Sequence, residues 1–385
     1  MSEGSGSFGV GALPRWKRAL FALLPTLVMI GVAEAGLRAA LPDVEIRTSL
    51  EHGGFLRPYR PGAVADLVSP DFCVRYAINE WGFRDRRGRA LAPRRAPPPP
   101  WRVLLFGDSF SEGFGVEADE TFARRLERRD RFEVWSLARM GASPMFHVVM
   151  AREFVPRLRP DAVVVQLFDN DLDENRYRHL PREPDGRVAA LPDALRPGTG
   201  LLAGLRDAWE GLALVQAFER LERRLRGKPI PRLFVRPGVR VVMEAPPGGA
   251  DPDARLFPWY DLARTAEWEA KLAEQEMLLR QLVGELRGMG VPALLAYVPH
   301  HREIVAGAVD ASRALNPHYR LLARVATELR VPLVDGTALF GAPGRDPSDY
   351  YHARDQHWNA SGHALFAEAL EAAVLAVLGA PERPS

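Results

Sequence analysis

Five short apolar runs, separated by helical patterns, constrain this chain more than any other feature. They are 102–106 (RVLLF), 132–137, 162–168 (AVVVQLF), 292–298 (PALLAYV) and 331–334. Each has strand character by length and composition, the third most strongly. Helical patterns occupy 122–129 and 145–158, an amphipathic pattern runs from 263 to 286, and a last helix runs from near Ser361 to about Leu378. Strands separated by helices imply βαβ crossovers, and hence a mostly parallel sheet covered by helices on both faces. A further strand-like stretch, 71–79, precedes them and ends at a Trp81-Gly82 turn.

Between 172 and 260 the rhythm breaks. This stretch is rich in Pro, Gly and Arg, with one helical segment from 201 to about 226. It is too long for an ordinary connection and is expected to be an insertion, as a lid or as a surface elaboration. Residues 97–100, all proline, form a stiff linker. The expected organisation is therefore 1–42 as disordered N-terminus and membrane anchor, 43–100 as a strand-containing preface with its Pro-rich linker, and 101–385 as the main α/β domain with an insertion at about 172–260.

The membrane expectation comes from the N-terminus. Residues 1–13 are Gly/Ser-rich. Arg15, Lys17 and Arg18 then precede 19–33, which carries no charge. A spanning helix needs roughly 18–20 apolar residues, reached if Glu34 sits near the far interface. The basic flank predicts a cytoplasmic N-terminus, a single pass through the inner membrane and everything after residue 42 on the periplasmic side. The competing reading is a cleaved signal peptide, from the small-x-small sequence Ala33-Glu34-Ala35, with secretion of the rest.

Composition excludes other classes. Of 385 residues, 47% are apolar, enough for a sizeable core, and 51 basic against 49 acidic residues leave +2. So balanced a chain has no basic field for phosphate backbones, and no nucleic-acid partner is expected. One cysteine, Cys73, rules out an intrachain disulfide and any Cys-based zinc site; it is expected to be a buried thiol.

The residues able to do chemistry stand next to these elements. Gly107-Asp108-Ser109 follows the first core strand directly, and ligands of open parallel sheets sit beyond the strands' carboxyl ends. A serine nucleophile needs a base, and His357 stands just before the last helix. Asp355, two positions earlier, can hold the imidazole tautomer and stabilise the imidazolium. Donors for an oxyanion are the backbone N–H of Ser109, that of Gly141 after the second strand, and the side-chain amide of Asn170 after the third. Alone, each piece has a structural explanation: a turn, an Asx motif, a helix cap. Their conjunction in this order, each at a strand end or before the last helix, makes the site.

These four blocks resemble the SGNH (GDSL-type) hydrolase family: Gly107-Asp108-Ser109, Gly141, Asn170-Asp171, and Asp355 with His357. The resemblance covers roughly 101–378 and implies a flavodoxin-like three-layer αβα sandwich on a five-stranded parallel sheet, with metal-free, cofactor-free ester hydrolysis. The upstream Trp81-Gly82-Phe83-Arg84-Asp85 is similar to the membrane-anchored bacterial branch. Two departures stand out. Phe168 replaces a glycine common in the third block. The last block is Asp-x-His rather than Asp-x-x-His, a spacing similar to alginate O-acetyltransferase proteins of the same superfamily. The implied substrate is an acyl ester, on a carbohydrate or a lipid. Hydrolysis and O-acetyl transfer both remain open, as does an inert carbohydrate-binding or assembly scaffold.

Other motifs carry less. Gly113-Phe114-Gly115 opens a dinucleotide-like pattern but stands six residues past its strand. His300-His301 lack a carboxylate or cysteine cluster, so no metal is expected. Asp171, Asp173 and Glu174 read as a solvated acidic face, and Ser361 as the cap of the final helix.

Overall fold

The computed structural model describes residues 14–40, 59, 61–62, 64–89, 100–175, 180–191, 240–242, 266–304 and 309–379. The Gly/Ser-rich start, the helical segment expected at 201–226 and most of the 172–260 stretch lie outside them. The chain divides into two compact units, one holding 1–44 and 199–231, the other 45–198 and 232–385.

In the first unit the described element is helix α1, Arg15–Ala40. At 1.5 Å per residue its 26 residues reach about 39 Å. Leu23, Leu27, Met29 and Val32 are all more than half exposed, and 23–37 is a short, mainly apolar helical stretch interrupted by Glu34.

The second unit contains a five-stranded sheet built from the five apolar runs: β3 (Trp101–Phe106), β4 (Phe132–Ser136), β5 (Ala162–Leu167), β7 (Ala293–Tyr297) and β8 (Leu333–Asp335). Their order is β4-β3-β5-β7-β8, and every pairing is parallel. Numbered along the chain this is 2-1-3-4-5, the flavodoxin-like order, whose switch point lies between the first and third strands. Here that is between β3 and β5.

Period-2 side chains divide the core in two. Leu104, Phe106, Val163, Val165, Leu295 and Tyr297 face α4 (Pro144–Leu158), α6 (Ala266–Gly288) and α8 (Pro317–Leu329). Val103, Leu105, Val164, Leu294 and Ala296 face α3 (Phe122–Glu127) and α10 (Ala360–Leu378). The result is the expected αβα sandwich. Burying each of these Val, Leu and Phe side chains contributes about 1.5–3 kcal/mol. Among the described residues α10 alone is both long and apolar enough to cross a membrane; its Phe366, Leu370 and Val374 are buried against the sheet, as in a core helix. The cap of α10 is Asn359 rather than Ser361. Its Oδ1 accepts from the N–H groups of Ser361 and Gly362, at 2.9 and 3.1 Å.

A three-stranded sheet completes the unit. β1 (Val64–Val68) and β2 (Cys73–Ala77) form an antiparallel hairpin, and β6 (Arg240–Val242) runs parallel to β1. β2 alternates: Val74 and Tyr76 are buried, Cys73 and Arg75 exposed. Cys73 is thus an exposed thiol, not the buried one expected, because period 2 turns it out alongside Arg75. The turn at Trp81-Gly82 is present, with Gly82 N–H donating to Asn79 O.

Candidate active site

β3 ends at Phe106, and the chain turns through Gly107 and Asp108 into the one-turn helix α2, Ser109–Glu112. A Cβ on Gly107 would stand 2.2 Å from Ser111 Oγ and 2.5 Å from Gln166 Oε1, so only glycine permits this turn. Asp108 caps α2, its Oδ1 accepting from Phe110 N–H. Its own N–H donates to Gln166 Oε1 at 3.0 Å, tying the turn to β5. Burial pushes the Asp108 carboxyl up to about 6.

Ser109 is 5% exposed. Its Oγ lies 2.6 Å from His357 Nε2, across 248 residues of sequence. His357 Nδ1 lies 2.5 Å from Asp355 Oδ1. That oxygen also accepts the His357 backbone N–H at 2.8 Å. The two-residue spacing of the last block therefore closes an Asx-type turn that brings carboxylate and ring together. With Nε2 facing the hydroxyl, the proton on Nδ1 points at the carboxylate. Residues 352–357 form a loop closed by an isolated bridge between Tyr351 and Trp358 and by the bond from His352 N–H to His357 O.

The electrostatics follow from burial and proximity. Burial alone would lower the His357 pKa. The Asp355 carboxylate, helped by Asp108 and Glu112, outweighs it and holds His357 above its ordinary value. Asp355 is brought down to about 2, because the His357 charge and hydrogen bonds overcome its own desolvation. The rings of Phe110 and Phe114 each lie 4.7 Å from the imidazole, fixing its plane.

Gly141 follows β4 in a turn with φ 68°, a left-handed conformation that suits glycine. The β4 segment stays paired to β3 up to this turn: Leu137 N–H donates to Leu105 O, and Arg139 N–H to Gly107 O at 3.0 Å. Asn170 follows β5 and opens the short helix α5, Asp171–Glu174, without a side-chain capping bond. Ser109, Gly141 and Asn170 thus stand beyond the carboxyl ends of three adjacent strands, with β3 and β5 flanking the switch point. Phe168, where a glycine is common, is buried with its ring 4.8 Å from Phe110.

The acidic run after Asn170 is only in part the solvated face expected: Asp173 is exposed and Glu174 half-buried. Asp171 is buried and its Oδ2 accepts from Phe168 N–H, because the short helix folds it back under β5. Asp173 pairs with Lys271 at 2.6 Å. His300 is also buried, its ring 4.2 Å from that of His301. Sequence reasoning missed the groups that tie the preface to the site. Asp71 Oδ2 accepts from Arg354 N–H at 2.7 Å, next to Asp355. Phe72 packs against Phe114 and His352. Arg84 donates to the carbonyls of Glu112, Gly113 and Val116. The available signal was Arg84 within Trp-Gly-Phe-Arg-Asp; nothing in the sequence marks Asp71 or Phe114.

Residues 252–384, which carry Asp355 and His357, match the family model described as an SGNH hydrolase-like domain, acetyltransferase AlgX. Among solved structures the chain is similar to TesA, at 12% identity and TM-score 0.38, covering 72% of this chain and 99% of that one. It is similar to the acetyl xylan esterase AlAXEase, at 14% and 0.39, covering 71% and 99%. It is also similar to Axe2, an acetylxylan esterase from Geobacillus stearothermophilus, at 15% and 0.40, covering 74% and 97%. No curated protein matches the chain. Over residues 252–384 the resemblance to an SGNH hydrolase-like domain stands.

Proposed function

We propose that this chain is a membrane-anchored serine esterase, with its catalytic domain on the extracytoplasmic side, that removes small acyl groups. Ser109 attacks the ester carbonyl while His357 Nε2 takes its proton. Asp355 holds the imidazole in the required tautomer and stabilises the imidazolium. The Ser109 N–H, the Gly141 N–H and the Asn170 amide receive the oxyanion, each worth about 3–4 kcal/mol in the transition state. His357 then protonates the leaving alkoxide, and the serine is left acylated. Water deprotonated by His357 releases the acid. The observation that carries this reading is the continuous Ser109–His357–Asp355 hydrogen-bonded chain at 2.6 and 2.5 Å. The exposed apolar surface of α1, after the basic flank, supports the anchor.

A second reading keeps the acyl-enzyme and replaces water by a carbohydrate hydroxyl, giving an O-acetyltransferase. The match of 252–384 to the AlgX acetyltransferase model favours it. The acylation half-reaction is common to both, and acetylated carbohydrate is the substrate class that fits both.

The test is the purified chain on short p-nitrophenyl esters, with Ser109→Ala beside it. Release by the wild type and a loss of about 10³-fold or more in the variant are expected. Equal rates in the two proteins would remove Ser109 from the mechanism. Adding acetylated and unacetylated oligosaccharides separates the two acceptors: transfer product in place of free acetate selects the second reading.

A further inference from the structure

We propose that Glu112 and Tyr59 form a brace that sets the Met140–Gly141 turn against the nucleophile helix, and so aims the Gly141 oxyanion donor. The proposal rests on the reading of Ser109 as nucleophile and Gly141 as donor. Both brace residues are positioning residues, since neither touches the reacting atoms.

Glu112 is three positions after Ser109 on α2 and is buried. Its Oε2 accepts two bonds from two different segments of the chain. The Tyr59 hydroxyl donates to it at 2.6 Å, from the preface. Met140 N–H donates to it at 2.7 Å, from the turn after β4. Tyr59 Oη lies 3.3 Å from the same Met140 nitrogen, so the three groups close a triangle. Met140 immediately precedes Gly141, so holding the Met140 N–H leaves little freedom for the next peptide.

The other end of the brace is equally fixed. The Arg84 guanidinium bonds the carbonyls of Glu112, Gly113, Val116 and Arg75, and stacks 3.8 Å from the centroid of the Tyr76 ring. Glu112 thus connects a rigid nucleophile helix to a turn from a different strand. Burial raises the pKa of both Glu112 and Tyr59; for Glu112 the bonds from Tyr59 and Met140 oppose the rise. A buried carboxyl is costly, and an apolar side chain of the same shape would serve packing alone as well or better. Its place between nucleophile and donor has a geometric use: a misplacement of about 1 Å in such a site can cost about 10²-fold in rate.

The experiment uses the full purified chain, with Glu112→Gln, Tyr59→Phe and the double variant, on a short p-nitrophenyl ester. It also measures affinity for an alkyl boronic acid, whose tetrahedral adduct on the serine places an oxygen in the oxyanion position. Both single variants are expected to lower kcat, by about tenfold for Glu112→Gln and less for Tyr59→Phe, with KM within about twofold. Boronate affinity should fall in parallel with kcat/KM, and the double variant should fall little below Glu112→Gln, because the two act as one unit. Tyr59→Phe removes only a hydroxyl, so it decides the matter if Glu112→Gln does not fold. The proposal is overturned if folded variants keep wild-type kcat, or if kcat falls while boronate affinity is unchanged. Failure of the catalytic reading looks different: there, Ser109→Ala retains wild-type activity and wild-type protein does not bind the boronate.

Discussion

The two sheets of the second unit differ in how many faces they bury, and that difference assigns their work. β5 and β7 of the five-stranded sheet are buried at every position. β2 of the three-stranded sheet is buried only at alternate positions. The large sheet carries Ser109, Gly141 and Asn170 beyond its strand ends. The small sheet, with the residues around it, supplies none of the proposed reacting groups, yet Tyr59, Asp71, Phe72 and Arg84 each touch an element that holds one. A sheet covered on both faces gives a rigid edge on which to mount chemistry; a half-covered hairpin can lean against that edge and lock the loops between strands.

The sharpest way to break this division is at the proposed triad, where the large sheet should account for nearly all of the chemistry. The proposed base, His357, can act only when neutral, and its pKa is held above the ordinary 6.5. Activity should therefore fall about tenfold per pH unit below a midpoint above 6.5, and level off above it. In Asp355→Asn, loss of the carboxylate should move that midpoint down and cut the rate by up to about 10⁴-fold. An unshifted midpoint in the variant would remove Asp355 from its role.

Stability gives the next largest contrast. Leu295→Ala, at a fully buried position of β7, should cost about 2–5 kcal/mol. Val74→Ala on β2 should cost about 1–2 kcal/mol. Urea midpoints at unchanged m-value read both; equal losses would show that the small sheet is as deeply packed as the large one.

The smallest effect belongs to the hairpin turn. Asp71→Ala removes the acceptor for Arg354 N–H and should lower kcat a few-fold, with KM unchanged and no more than about 1.5 kcal/mol of stability lost. Asp71→Asn, which keeps an acceptor oxygen, should restore most of the rate. Wild-type kcat in Asp71→Ala would mean that the hairpin supports the fold but not the loop bearing Asp355.

Much of this was legible in the residue pattern. Runs 102–106, 132–137 and 162–168 became strands within a residue or two of those bounds, and 263–286 became the helix Ala266–Gly288. Apolar runs and helical periodicity are local signals, repeated over many residues, and they survive in any compact fold. The structure also draws together Ser109, His357 and Asp355, which the motif order had singled out. Single positions were misread where one side chain's direction decides: Cys73 faces out, Asp171 faces in, and Asn359 rather than Ser361 caps the last helix.

What the chain alone determined is the type and order of its elements, and with them the edge of the sheet at which a site must lie. Which side chains meet at that edge was decided only by the tertiary structure. The reason is distance along the chain: Tyr59 and Glu112, or Ser109 and His357, are 53 and 248 residues apart. No local preference specifies such a pairing; it exists only once strand register and loop closure have fixed both partners in space.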